Sequence, residues 1–478
     1  MSVLGALEPK RVFKYFEEIS AIPRGSENME GIAKYCMDFA EKHSLKAVRD
    51  KANNVIIYKK AAPGYEKAEP IILQGHLDMV CQKEQDSEID FMKDGIDLCI
   101  DGDFVKAKGT TLGADNGIAV AMILAILEDE NLPHPAIETV FTTDEEIGMI
   151  GAIKLDFSLL SARKMINLDA EEDDSVTVSC AGGSDFKVSI PVTRQTKSGS
   201  KITVTLKGLK GGHSGVEINS GRVNADILGG KFLDRLNTEF DIISINGGDK
   251  GNAIPNNCTI EVFTNCPDSF VTEAERCLAD IKAEITETEN DFSADITVTG
   301  TGEYLVLSEK LKNDIILILT GVPNGVLAMS GEIEGLVETS LNLGILKTED
   351  DKITLHHTLR SNKNSSLKEL EGKLRAFFAQ FDCTTESFGH YPPWEFKENS
   401  RLQKLYKETY RQQFGKEVKV EAIHAGLECG VFASNIKDLD CIAIGPCLFD
   451  VHTVKERLSI SSANAVFKLL LKILEKSC

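Results

Sequence analysis

The residues best suited to chemistry fall in four short stretches, each at the end of an apolar run or at a glycine turn. His76 and Asp78 follow "PIIL" in "QGHLDMV", Asp115 lies in "TLGADNG", Glu145 and Glu146 close "ETVFTTDEE", and Asp169 closes "KMINLDAE". Imidazole with carboxylate is a donor set for divalent metal; it suits zinc and accepts cobalt or manganese. Carboxylates gathered without a cation would repel one another and hold their protons more tightly. Each residue also has a plainer reading. A histidine in "GHLD" is an ordinary polar end to a strand, Asp115 before a helix is a natural N-cap, and paired glutamates usually mark a solvated turn. The metal reading gains from order: His76, Asp78, Glu145, Glu146 and Asp169 all follow expected strands, while Asp115 opens an expected helix. In open parallel sheets the ligand crevice lies beyond the carboxyl ends of the strands.

The elements that must position these residues alternate along the chain. "NNVIIYKK", "PIILQGH", "IETVFTTDEE" and "KMINLDAEE" read as strands, and "NMEGIAKYCMDFAEKH" and "GIAVAMILAILEDE" as helices. That alternation predicts an α/β domain with a mostly parallel sheet. From about Ser189 the order becomes β-α-β-β-α-β, the split ferredoxin-like unit, and a shorter echo follows: a helix, a hairpin, a helix and a strand. After "YPPWEF" the first rhythm returns. The expected organisation is a catalytic domain in two parts, residues 1–187 and 389–478. An α+β lid domain of two ferredoxin-like halves, residues 188–388, is inserted between them.

A chain of 478 residues is long for a single core, in keeping with more than one domain. Its 74 acidic against 53 basic residues, a formal charge of -21, repel phosphate backbones and anionic lipid, so neither nucleic acid nor membrane is an expected partner. The N-terminal "MSVLGALEPKRVFKYFEEIS" has no pattern of an export signal, and no apolar run approaches the roughly 18 residues of a membrane span. Twelve cysteines without a C-x-x-C pair suit free thiols in a reducing cytoplasm.

The set "GHLDMV", "TLGADNG", "TTDEEIG", "NLDAEE" and "FDVHTVKERLSI" resembles the family of two-metal aminopeptidases and dipeptidases. "HAGLECG" and "GEIEGLVETSLNLG" narrow the resemblance to the aminoacyl-histidine dipeptidases, also called cytosol non-specific dipeptidases, and it runs almost the whole chain. The resemblance implies that His76 binds one metal and Asp78 orients its imidazole. It makes Asp115 the bridge between two metals, Asp169 the completion of the first site, and Glu146 with His452 the second. Glu145 is then the general base, taking a proton from a water activated by both metals and passing it to the leaving amine. In the inserted domain the resemblance gives His213 of "KGGHSG" to the oxyanion and Arg360 of "HHTLRSN" to the substrate carboxylate, with Asn252 of "GNAIPNN" on the same wall. On their own these three read as a loop histidine, a surface arginine and a turn asparagine. Some related dipeptidases carry two aspartates where this chain has Asp115 and Asn116, so another residue must meet a free amino terminus. Glu428 in "GLECG" is the candidate, with a buried structural or helix-capping glutamate as the alternative.

The expectation is a cytoplasmic zinc dipeptidase that cuts unblocked dipeptides, Xaa-His among them, and that pairs as a homodimer through the lid domain. An aminoacylase, tripeptidase or carboxypeptidase on the same scaffold would share the mechanism and differ in substrate. A non-catalytic metal-binding scaffold would have no use for Glu145 beside five intact ligands. A phosphate-handling enzyme is disfavoured because "TLGADNG" lacks the lysine and Ser/Thr of a P-loop.

Overall fold

An eight-stranded sheet carries three of the four site-bearing stretches. In the computed structural model, which describes residues 2–477, its strands run in the order Lys46–Arg49, Val55–Lys59, Ile137–Thr142, Ile71–His76, Lys164–Asn167, Asp440–Ala443, Ser175–Cys180 and Lys419–Ile423. The middle four are parallel. Val55–Lys59 joins Ile137–Thr142 antiparallel, and Ser175–Cys180 joins Asp440–Ala443 antiparallel. "IILQGH" and "IETVFT" are buried throughout, as befits strands covered on both faces. The register sets His76 opposite Thr142 and Gln74 opposite Asn167. Three strands therefore end nearly level, and the turns that follow them leave from one rim.

Helix Ala114–Glu128 supplies the fourth stretch. Every residue from Asn116 to Leu127 is buried, and a helix apolar on all sides belongs inside a core. Its first turn brings Asp115 to the rim. A small sheet, ordered Leu448–Phe449, Arg457–Ser459, Phe104–Ala107 and Leu98–Asp101, holds the hairpin on which His452 sits. The hairpin turns tightly enough to place Asp450 and His452 at φ 53° and 62°, a left-handed conformation that costs a side-chain-bearing residue about 1 kcal/mol.

The chain divides into two compact units. One takes the residues up to Ser179, then Phe396–Ala422 and the chain from Leu427 onward; the other takes Cys180–Glu395 and Ile423–Gly426. The expected first boundary, between residues 187 and 188, is corrected here: it would cut strand Gly182–Pro191, which pairs along its whole length with Lys352–Ser361 of the second unit. The second boundary moves from 388 to 395, because Cys180 and Trp394 form a backbone bridge.

That early strand also completes the echo. In the nine-stranded sheet, Ser293–Leu307, Arg194–Lys207, Cys258–Thr264 and Asp241–Gly247 stand side by side, which is fourth, first, third, second in chain order. Val337–Thr348, Lys352–Ser361, Gly182–Pro191 and Thr384–Tyr391 repeat the same arrangement from the other end. The second half begins with Gly182–Pro191, and the first half is inserted after that strand. Buried residues of both halves, from Phe186 and Ile202 to Leu359 and Phe378, form one core. No helix among the described residues is long and apolar enough to cross a membrane.

Candidate metal centre

Close approach of strand and helix comes first. A Cβ at Gly75 would lie 2.5 Å from Asn116 Oδ1 and 3.0 Å from Ala119 Cβ, so glycine is what lets the helix start reach the strand end. Asn116 uses that contact. Its Nδ2 donates to the Leu168 carbonyl at 2.8 Å, and its Oδ1 accepts from the His76 amide at 3.3 Å. An aspartate could not make the first bond, and the buried amide joins three rim turns.

The ligand candidates converge around Asp115. His76 Nε2 lies 3.1 Å from Asp115 Oδ1 and 3.4 Å from Asp169 Oδ1. His452 Nε2 lies 3.1 Å from Asp115 Oδ2 and 3.0 Å from Glu146 Oε2. Each oxygen of one carboxylate thus faces a different imidazole, and each imidazole faces a second carboxylate. Asp78 stands behind: its Oδ1 is 3.5 Å from His76 Nδ1 and its carbonyl oxygen 3.2 Å away. It also accepts from the amides of Glu145 and Glu146 at 3.0 and 3.2 Å and from Ser26 Oγ at 2.9 Å. The strand-end aspartate therefore orients the imidazole and the "DEE" turn together.

The charges of the cluster act strongly on one another. Hydrogen bonds to Asp115 and Glu146 push the His452 imidazole up to about 11. Burial opposes charge on His76, yet Asp169 and Asp115 raise it well above the ordinary histidine value. Burial holds Asp169 up at about 6 and lifts Glu145 well above the usual carboxylate range, with Asp169, Glu428 and Glu146 adding to the latter. Burial favours the proton on Asp115 too, but His452 and His76 hold it low. Ligand atoms of His76, Asp115 and Glu146 lie within 4.8 Å of one another, and Glu146 Oε1 is buried without a hydrogen bond. The donor set, two imidazoles with Asp115, Asp169 and Glu146, fits divalent metal.

Glu428 is fully buried, and its Oε2 accepts from Thr142 Oγ1 at 2.7 Å and from Gln74 Nε2. Gln74 is tied in turn to Asn167 Nδ2 at 2.6 Å. Burial raises this carboxyl to about 7. Through Oε2 it braces the strand ends, while its Oε1 is buried without a hydrogen bond.

The remaining three candidates belong to the second unit. Arg360 is 6% exposed and donates from Nη1 to the Tyr391 hydroxyl at 2.9 Å. Its Nε is buried and unpartnered. His213 accepts at Nδ1 from the amides of Gly215 and Val216, both at 3.2 Å, which leaves the proton on Nε2. Burial, and then the nearby Arg360 charge, lower its basicity. Asn252 is exposed, and its carbonyl accepts from the Ser214 amide at 2.9 Å. Sequence reasoning missed His424, whose Nε2 meets Ser340 Oγ at 2.7 Å and whose Nδ1 meets Asn362 Oδ1 at 3.2 Å. It also missed Glu171, raised to about 7 by burial and by Asp115 and Asp169. The run of four acidic residues from Glu171 to Asp174 was the only hint of the latter.

A mainly parallel sheet whose rim gathers two imidazoles and four carboxylates around a shared aspartate defines the class: a hydrolase built for paired metal ions. The chain belongs to peptidase family M20/M25/M40, whose profile matches residues 72–476. It is 37% identical over 482 residues to the cytosol non-specific dipeptidase of Escherichia coli K12, a match covering 100% of this chain and 99% of that protein. The crystal structure of aminoacylhistidine dipeptidase from Vibrio alginolyticus superposes with a TM-score of 0.91 at 35% identity, over 99% of this chain and 97% of that one. Aminopeptidase PepT of Bacillus cereus shares the fold at a TM-score of 0.58 and 15% identity, over 98% and 99% of the two chains.

Proposed function

We propose that this chain is a cytoplasmic metallo-dipeptidase that hydrolyses unblocked dipeptides, Xaa-His among them, with two divalent ions that are zinc in the active protein. The observation that carries the reading is Asp115, whose two oxygens face His76 and His452 at 3.1 Å each. When bound, the ions supply Lewis acidity toward the peptide carbonyl and make a water acidic near neutral pH. The chain's own residues do the rest. Glu145 takes the proton of the attacking water and hands it to the leaving amine, a role suited to a carboxyl lifted by burial. Asp78 keeps His76 oriented and fixes the backbone on which Glu145 stands. His213, with its proton on Nε2, serves the developing oxyanion. Arg360, whose Nε is buried without a hydrogen bond, receives the substrate carboxylate, with Asn252 as a weaker candidate for the same task. The whole-length similarity to two dipeptidases supports the substrate class, and pairing of two chains through the lid domain completes the proposal.

Hydrolysis of Ala-His and β-Ala-His by the purified protein tests this, before chelation, after it, and with zinc restored. Activity should vanish with chelator, return with zinc, and fall steeply along a series from dipeptide to pentapeptide. Efficient pentapeptide cleavage would sink the dipeptidase assignment. Turnover of N-acetylated amino acids with both dipeptides left intact would instead favour an aminoacylase on the same centre.

A further inference from the structure

Two buried side chains of opposite charge grip the backbone around Asp115, and neither belongs to the ligand set. Arg24, 2% exposed, donates from Nη1 to the carbonyls of Leu77 at 3.0 Å and Asp78 at 3.3 Å, and from Nη2 to the carbonyl of Gly113. Glu456, 3% exposed, accepts from the amides of Leu112 at 2.7 Å, Gly113 at 2.9 Å, Ala114 at 2.8 Å and Asp115 at 3.3 Å. A Cβ at Gly113 or at Gly117 would come within 2.6 Å of Arg24 Nη2, and Gly113 is left-handed at φ +68°. The helix start is therefore bare where the guanidinium lies.

The two grips reach in different directions. Arg24 ties the turn that follows His76 to the turn that precedes Asp115. Glu456 ties the Asp115 turn to the hairpin that carries His452. Asp115 Oδ1 faces the first histidine and Oδ2 the second. Without Arg24 the turn after His76 would be free to shift against the Asp115 turn, and without Glu456 the hairpin of His452 would be free to do so.

We propose that Arg24 and Glu456 are positioning residues that set the two halves of the metal centre separately, Arg24 registering Asp115 against His76 and Glu456 registering it against His452. The inference rests on the two-metal reading of the centre. A merely structural role would loosen both halves alike; a positioning role would not.

Stepwise zinc affinities of the full chain, measured by chelator competition, separate these. Glu456→Gln should weaken the Glu146–His452 half by about 10–100-fold, the range for partners of metal ligands, and Arg24→Lys should do the same to the His76–Asp169 half. Single-site backgrounds assign the halves. In His452→Ala, adding Glu456→Gln should change the remaining affinity less than twofold, while adding Arg24→Lys should lower it by about 10–100-fold. In His76→Ala the pattern should reverse. Glu456→Asp, which keeps the charge, should recover most of the loss, and melting of the zinc-free variants reports whether each has folded. Equal weakening in both backgrounds, no weakening in either, or loss of fold in Glu456→Asp and Arg24→Lys alike would overturn the proposal. A parent protein that fails to take two zinc ions per chain would instead overturn the two-metal reading beneath it.

Discussion

At the rim of the eight-stranded sheet, Asp78 is buried yet accepts three hydrogen bonds and faces an imidazole, whereas in the second unit Asp226 is just as buried with only the Cys258 thiol to meet it. Histidine repeats the contrast. His76 lies among three carboxylates; His357, fully buried beside Phe378, makes no hydrogen bond through either ring nitrogen. The solitary groups give up their charge. Burial lifts Asp226 well above the ordinary carboxylate value, with only the Cys258 thiol opposing, and pushes His357 down to about 3. Asp78 and Asp115 at the rim are held low instead, because each faces an imidazole. An isolated buried charge costs several kcal/mol, and a networked one can be retained for use.

The largest expected effect is at the rim. Glu145→Ala should lower kcat by about 10²–10⁴-fold with both zinc ions still bound, and Glu146→Ala should lose zinc instead; metal analysis beside kinetics distinguishes them. If both variants lose metal, the rim is a ligand cluster without a separate base.

In the second unit, His357 should make the protein acid-sensitive. Its folded value lies below that of the unfolded chain, so the stability it contributes is complete above about pH 6.5 and is lost as pH falls toward 3. Between pH 6.5 and 4.5 the loss should reach about 2 kcal/mol. Denaturant titrations of the parent and of His357→Leu should diverge over that window, and parallel curves would refute a buried neutral imidazole. A smaller effect is expected from Asp78→Ala, about 10–100-fold in zinc affinity, read by chelator competition.

The smallest change should be a gain. Asp226 has its folded value raised, so its favourable contribution is present at low pH and is lost as pH rises through the folded value. Asp226→Asn should therefore melt a few degrees higher than the parent at pH 8, with the difference shrinking toward pH 4. Equal melting at every pH would mean that Asp226 has found a partner.

The centre was legible because its chemistry sits where local pattern is strongest. His76, Asp78, Glu145, Glu146 and Asp169 follow apolar runs, and Asp115 opens an apolar helix. The pairwise geometry around Asp115 needed the register of parallel strands, which no local pattern carries. Arg24 and Glu456 were not legible, because their partners are backbone groups far away in the chain. Asn116 read as a departure from two aspartates, and its use became clear only with the Leu168 carbonyl in view. The nested halves were half-seen: helices and hairpins announce themselves by period, but nothing local says that Gly182–Pro191 belongs with strands that follow a whole intervening half.

That nesting bears on how the protein is made. Gly182 pairs with Ser361 and Pro191 with Lys352, so on a ribosome adding about 5–20 residues per second the early strand emerges roughly ten seconds or more before its neighbours exist. Phe186, Val188 and Ile190 then have no core to enter. Asp185, Lys187 and Ser189 alternate with them along the strand, and charges so placed discourage pairing with a stranger's edge.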